Sequence, residues 1–547
     1  MKFAQSLALA ASVSILVASC ADDLNLSPKY GLTAEQVYSD PNNYANVLAK
    51  IYAGLSISGN NGPAGMPDIG GIDEGFSQYV RVMWNLQQLP TDESICGWAD
   101  PGIPELNSMD WNDNSPFVSA MYYRIYYQIS LANEFIRYSS EDYLTTKDFT
   151  EADKLAIRKM NAEARYLRAL SYYHALDLFG NVPFADESVR PGSEPPQQIM
   201  RPDLFNWIMD ELNAIEPTLA AARTDEYGRA DQGALWALRA KMNLNAEVYT
   251  GTARWTQTME DCQRIIDAGY GLEPTYGFNF NADNHLSPEM IFVATFDGNR
   301  TRTYGGTTFL VHSHMGGSMN QSDFGTTSGW QGNRGTFNWA NKFTLPGDIR
   351  AKYIFRGPVL YLDAFRDTII SNRDSKYLFE INDGQLDLIS DIGNFTEGIG
   401  ITKWRNLNRD STVGVEPGTF VDIDFPMFRL ADFHLMYAEA AVRSGSNLAL
   451  GLNYFNLVRA RAVGSSSQNV TSLTLDDILD ERARELYTEG HRRQDLIRFG
   501  KFTTGSYLWQ FKGGEQFGTA VGSHLNLYPL PGADLNANPN LEQNPGY

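Results

Sequence analysis

The sequence predicts a mainly α fold in which paired helices carry two long irregular inserts. Three observations predict it. Apolar residues recur at helical spacing in eight windows along the chain. One consecutive pair of windows, from Trp236 to Tyr270, spans 34 residues, the length of a tetratricopeptide repeat. Two stretches, 56–114 and 271–418, are rich in Gly, Pro, Asn and aromatic residues and follow neither a helical nor a strand period.

Taken in order, the windows form four couples. Residues 37–55 pair with 117–138. Residues 152–179 pair with 204–222; here Tyr166, Ala169, Leu170, Tyr173 and Leu176 share one arc, and Gly180 with Pro183 stops the run. Residues 232–250 and 255–268 are joined by a short turn at Gly251. Residues 428–444 and 448–462 form the last couple, where Ala438, Ala440 and Ala441 let two helices approach closely. Short pieces such as 399–404 are expected as minor β hairpins. The ending, 528–547, carries Pro529, Pro531, Pro539 and Pro545 and is expected as an extended strap over the helices.

The N-terminus has one basic residue, Lys2, an apolar run from Leu7 to Ala18, and then Val17-Ala18-Ser19-Cys20. This is the pattern of a lipoprotein signal peptide, so residues 1–19 are expected to be removed and Cys20 lipidated, with 20–547 as a single domain. At about 0.8 kcal/mol per buried CH₂, several acyl chains on Cys20 would hold the protein at a membrane without a spanning helix. The other cysteines, Cys96 and Cys262, permit at most one disulfide, so the chain is not a disulfide scaffold. With 547 residues, 43% of them hydrophobic, it has material for an ordinary core. A formal charge of −21 argues against nucleic acid and anionic lipid as ligands and favours a neutral one. The cluster His491-Arg492-Arg493 lies among Glu481, Glu485, Glu489 and Asp495 and reads as ion-paired helix surface.

Between Arg300 and Ala340, Tyr304, Trp330 and Trp339 stand among glycine pairs and small polar residues. Large rings on irregular loops suit a sugar, whose axial C–H groups meet an aromatic face while its hydroxyls meet polar edges. The alternative is rings tucked under a long loop. Asp92 and Glu93 are the carboxylates nearest this region in kind, but no second acid is spaced to face either one, so catalysis is not expected. His312, His314 and Asp323 do not complete a metal set and read as core or solvated groups.

Further segments resemble a known family. Cys20 followed by Asp22-Asp23-Leu24-Asn25-Leu26-Ser27-Pro28, the run Glu163 to Ala169 into Leu178-Phe179-Gly180-Asn181-Val182-Pro183, the block Glu481 to Phe499, and the ending Asn538 to Tyr547 are similar to the SusD/RagB family, in the family's order. Three more passages resemble its starch-binding members: Leu89 to Glu93 with Trp98, Thr301 to Gly306, and Gly325 to Trp330. The resemblance implies four tetratricopeptide-like helix pairs with the ligand loops on one side. It also implies a non-catalytic binder of starch and maltooligosaccharides, with Trp98, Tyr304 and Trp330 as an aromatic arc and Arg81 bonding sugar hydroxyls. The acidic residues after Cys20 resemble a signal for the outer face of the outer membrane, and a SusC-like TonB-dependent transporter is the implied partner. Where starch-binding members present an amide, this chain has Ala99, Asp100 and Pro101, which keeps another glycan open. A protein-binding scaffold remains the reading from helices alone. The loop at Asp283, Asn284 and His285 is shorter than the family's calcium loop, so neither metal nor cofactor is expected.

Overall fold

The computed structural model describes residues 31–190, 192–316, 319–355 and 389–547. The signal segment and Cys20 lie outside these residues. The architecture is mainly helical, with only short two-stranded ladders among the described residues. The four expected couples are present as packed helices: Asn43–Ala53 on Pro116–Tyr138, Glu151–Leu178 on Arg201–Ile215, Gln232–Leu244 on Trp255–Asp267, and Leu430–Ser444 on Leu448–Val463. Glu151–Leu178 is the longest, opened by a capping box in which Thr150 and Asp153 satisfy each other's backbone N–H groups. Trp255–Asp267 also packs on Leu430–Ser444, so the couples run into one another as a stacked array.

Several boundaries differ from the sequence expectation. The window 37–55 is broken at Ser39-Asp40-Pro41, where Asp40 Oδ1 accepts the Asn42 N–H at 2.9 Å and Pro41 cannot continue a helix. The window 232–250 breaks at Asn245, whose side chain donates to the Lys241 carbonyl at 3.0 Å. The window 428–444 begins as a strand: Phe425–Arg429 pairs antiparallel with Met290–Ala294, and the helix starts at Leu430. Both strands are buried along their length, so their apolar runs have no alternation to mark them. Gly400–Ile401 pairs with the distant Ile354–Phe355 and is not part of a local hairpin. The C-terminal strap is extended except for Gly532–Ala537, which is helical. It is fixed by Tyr528 N to the Leu178 carbonyl at 2.8 Å and by Asn544 Nδ2 to the Phe179 carbonyl at 2.7 Å.

The largest correction lies in the first insert. Tyr79–Gln88 is a helix in which every residue but Arg81 is buried. Its polar residues Arg81, Asn85 and Gln88 do recur at i, i+4 and i+7, but Asn85 and Gln88 are buried with the apolar ones, so the stripe marks no solvent face. In the second insert, Gly306–Ser313 is likewise a buried helix. Trp339 is fully buried, donates its indole N–H to the Ala483 carbonyl at 2.9 Å, and packs on Tyr487; it is core, not binding surface. In His491-Arg492-Arg493 the two arginines are ion-paired, but they are buried and their partners are not the neighbouring acids expected: Arg492 meets Asp92 at 2.6 Å and Arg493 meets Asp177 at 3.1 Å. These belong to an ionic core in which Arg429 touches Glu289, Glu485 and Glu489 at 2.6, 2.7 and 2.6 Å. Every charge there has a partner of opposite sign, which is what makes such burial tolerable. Cys96 and Cys262 are buried and free.

Candidate functional site

Three segments far apart in sequence bring Trp98, Tyr304 and Trp330 together. Trp98 follows the strand Ile95–Cys96, which pairs with Asn333–Arg334 just beyond Trp330. Tyr304 immediately precedes the Gly305-Gly306 entry to the Gly306–Ser313 helix. Trp330 is tied to that helix's far end by its N–H, which donates to the His312 carbonyl at 2.7 Å. The ring centroids of Tyr304 and Trp330 lie 6.1 Å apart at an interplanar angle of 71°, and those of Trp98 and Trp330 lie 6.5 Å apart at 45°. The indole N–H of Trp98 donates to the Trp330 carbonyl at 2.9 Å, fixing the two loops to each other. All three rings are partly exposed. Their mutual tilts make a curved surface and not a planar row.

The backbone permits this approach because glycines stand where rings need room. A Cβ on Gly332 would lie 2.5 Å from Cε2 of Trp98. Gly306 has φ +52°, and a Cβ there would lie 2.1 Å from the Phe296 ring.

Arg81 sits behind the arc. Its Nη1 donates to the Tyr304 carbonyl at 3.0 Å and to the Gly75 carbonyl at 3.2 Å, and its guanidinium lies 4.5 Å from the Phe309 ring and 5.8 Å from the Trp98 ring. Burial brings it down to about 10. Two residues that the sequence reading did not assign to the site organise it. Gln78 Oε1 accepts the Arg81 N–H at 2.9 Å and the Gly306 N–H at 2.7 Å, so one buried amide caps two helices that carry site residues. His312 lies against Trp330 with centroids 4.8 Å apart and planes 17° from parallel.

The carboxylates considered for catalysis do not reach this surface. Asp92 is buried, and Arg492, bonded to both its oxygens at 2.6 and 2.7 Å, holds it below the usual carboxylate range against the upward push of burial. Glu93 is also buried and is pushed up to about 8 by that burial. Both belong to the ionic core. His314 directs Nδ1 at the Leu310 carbonyl at 2.7 Å, and Asp283 accepts the Arg409 N–H at 3.1 Å. Among the described residues, no three His, Cys, Asp or Glu side chains gather as a metal site.

Comparison with known proteins adds four findings. The SusD family profile matches residues 368–547. The starch-binding protein SusD of Bacteroides thetaiotaomicron is 36% identical to this chain over 566 aligned residues, which cover 99% of this chain and 98% of that protein. The chain belongs to the SusD family. A SusD-like protein of Bacteroides ovatus is 22% identical over 92% of this chain and 83% of its own length. Among solved structures, surface glycan-binding protein A of Bacteroides uniformis superposes with a TM-score of 0.69 at 19% identity, covering 92% of this chain and 99% of that one. The mainly helical fold is therefore the fold of the family.

Proposed function

We propose that this SusD-family chain is a non-catalytic, cell-surface lipoprotein that captures starch and maltooligosaccharides for uptake through a SusC-like TonB-dependent transporter. The observation that carries the reading is the arc itself: Trp98, Tyr304 and Trp330 are partly exposed and tilted by 45° and 71° about the central indole. A bent α-1,4-glucan can lay successive rings on such a curve, whereas a flat β-1,4 chain would suit coplanar platforms. The starch-binding relative supports the choice of ligand. Arg81 stands close enough behind the rings to serve sugar hydroxyls while it holds the Tyr304 carbonyl. Lipidation at Cys20 and exposure on the outer membrane are the anchoring that this function requires.

Three stacking rings at roughly 0.5–1.5 kcal/mol each total about 1.5–4.5 kcal/mol, which corresponds to dissociation constants from roughly 80 mM down to about 0.5 mM. Weak capture suits a protein that must hand its ligand on, and several anchored copies on one polymer restore hold through multivalency. The test is titration calorimetry of the unlipidated chain with maltoheptaose, a β-1,4-glucan and a fructan, with Trp330→Ala beside it. Saturable maltoheptaose binding lost in the variant is the expected result. Heat from another glycan alone would keep the binding site and reject the α-glucan, an outcome in keeping with Ala99-Asp100-Pro101 beside Trp98.

A further inference from the structure

His312 is the most enclosed polar ring near the arc, 1% exposed, in the last turn of the Gly306–Ser313 helix. Its imidazole lies nearly parallel to Trp330 at 4.8 Å, so it covers one face of the indole. Tyr304 meets the same indole edge-on at 71°, and Trp98 meets it at 45° while bonding its carbonyl. Both imidazole nitrogens face carbonyls, Nδ1 at 2.7 Å from Ser328 and Nε2 at 3.1 Å from Thr419. The neutral ring carries one N–H and donates to one of them at a time, and the Ser328 hydroxyl, 3.4 Å from Nδ1, can donate to that nitrogen when the N–H is on Nε2. These carbonyls come from the loop leading into Trp330 and from the segment before Phe420, which itself packs on Tyr304 at 5.6 Å. One side chain thus joins the three segments that carry or support two of the three rings.

Resting on the reading of the arc as a glycan site, we propose that His312 is a positioning residue for Trp330: it occupies the inner face of the indole and leaves only the opposite face to the sugar. A tryptophan on a loop can otherwise turn about its side-chain torsions and present either face or its edge. With the inner face taken by a buried ring that is itself anchored by its N–H to a loop carbonyl, the platform is set before the ligand arrives, and less ordering is needed on binding. The groups facing the imidazole are the Ser328 hydroxyl, the Ser328, Thr419 and Gly418 carbonyls and the Trp330 ring; among the described residues no carboxylate pairs with it. Burial lowers its protonation below the ordinary imidazole value of 6.5, with the carbonyls pulling the other way. The stack at neutral pH is therefore one of neutral rings, and it becomes an imidazolium over indole only in acid.

The test combines two variants with two readouts. His312→Phe keeps a flat ring against Trp330 and gives up the carbonyl contacts; His312→Gln keeps a donor and gives up the ring. Calorimetry with maltoheptaose should show His312→Phe within about twofold of the parent and His312→Gln weaker by roughly 2- to 10-fold. Equal affinities for the two variants would overturn the proposal, because the ring would then not matter. The second readout needs no ligand. Indole emission titrated with pH should show a quenching step below pH 6.5 in the parent that vanishes in His312→Gln and equally in Trp330→Phe; a step that survives either change would show that the two rings do not communicate. If Trp330→Ala binds maltoheptaose as well as the parent does, the glycan reading fails on its own, while the emission titration still decides whether the stack exists.

Discussion

Replacing Gly332 by alanine tests the site with the smallest possible change. The backbone at Gly332 is pinned on both sides: its N–H donates to the Ser313 carbonyl at 2.8 Å, and its carbonyl accepts the Gly97 N–H at 3.1 Å. An added Cβ would lie 2.5 Å from Cε2 and 2.6 Å from Cζ2 of Trp98. Carbon atoms prefer about 3.5–4.0 Å, so the indole must retreat by roughly 1 Å, which also strains its bond to the Trp330 carbonyl. Trp98 is partly exposed and has somewhere to go, so the fold should survive. The expected cost in binding is one stacking ring, about 0.5–1.5 kcal/mol, or roughly 2- to 12-fold in affinity for maltoheptaose. The expected cost in stability is at most the one strained hydrogen bond, about 1 kcal/mol, a shift of no more than about 2 °C in a chain this long. Calorimetry and thermal unfolding measured on the same preparation separate the two. Unchanged affinity in Gly332→Ala, where Trp98→Ala does weaken binding, would refute the claim that this glycine sets the position of Trp98. A large fall in melting temperature would refute the claim that the ring is free to move.

Gln78→Leu should destabilise by roughly 1–3 kcal/mol per N–H orphaned, at Arg81 and Gly306, and should weaken glycan binding as well; unfolding and calorimetry read the two effects. Trp339→Ala should cost about 3–5 kcal/mol of stability, seen in denaturant titration, while affinity measured well below the unfolding transition stays within twofold, since Trp339 is core. Glu93 carries a pH signature. Its carboxyl titrates near 8 in the fold and near 4.5 in the unfolded chain, so between these values the folded state holds the extra proton and stability falls as pH rises. Glu93→Gln should remove that fall, and the difference in unfolding free energy between parent and variant, flat below about pH 4.5 and above about pH 8, should change only within the window.

Trp255–Asp267 was legible because it buries one stripe, Met259, Cys262 and Ile265, whereas Glu151–Leu178, buried at every residue from Tyr166 onward, was legible through its length and the Gly180 and Pro183 that stop it. Short enclosed elements were not: Tyr79–Gln88 is only ten residues long inside a Gly- and Pro-rich stretch, and the strand pair Met290–Ala294 with Phe425–Arg429 is buried on both faces and shows no alternation. The rings of the candidate site were found as residues, but not sorted. Tyr304, Trp330 and Trp339 share one sequence texture, yet the last is buried under Ala483 and Tyr487 and the others are partly exposed, a difference set by partners more than a hundred residues away. Gln78 was invisible for the same reason. As an N-cap it resembles many glutamines before a helix, and its second bond, to Gly306, spans 228 positions. The basic run at His491 was read as ion-paired, but with neighbouring acids and at the surface; its arginines instead reach Asp92 and Asp177, hundreds of positions away, and are buried, which no local pattern announces.

The enclosed Tyr79–Gln88 helix explains how loops rich in glycine can offer a defined surface. Its N-terminus is capped by Gln78, which also caps the Gly306–Ser313 helix, and its third residue is Arg81, which holds the Tyr304 carbonyl. Trp84, a turn further on, donates to the Thr488 carbonyl at 2.8 Å and so ties the same helix to the segment holding Glu485 and Glu489. The rings therefore hang from two short helices bolted to a fully paired ionic core, and the glycines supply room for them without supplying motion. A weak ligand gains most from such a scaffold. When contacts contribute only a few kcal/mol in all, each side chain that must be ordered on binding would subtract about 0.5–1.5 kcal/mol, enough to abolish capture. A site meant to hold sugars loosely must be rigid in advance, and the parts of this chain hardest to read from its sequence are those that make it so.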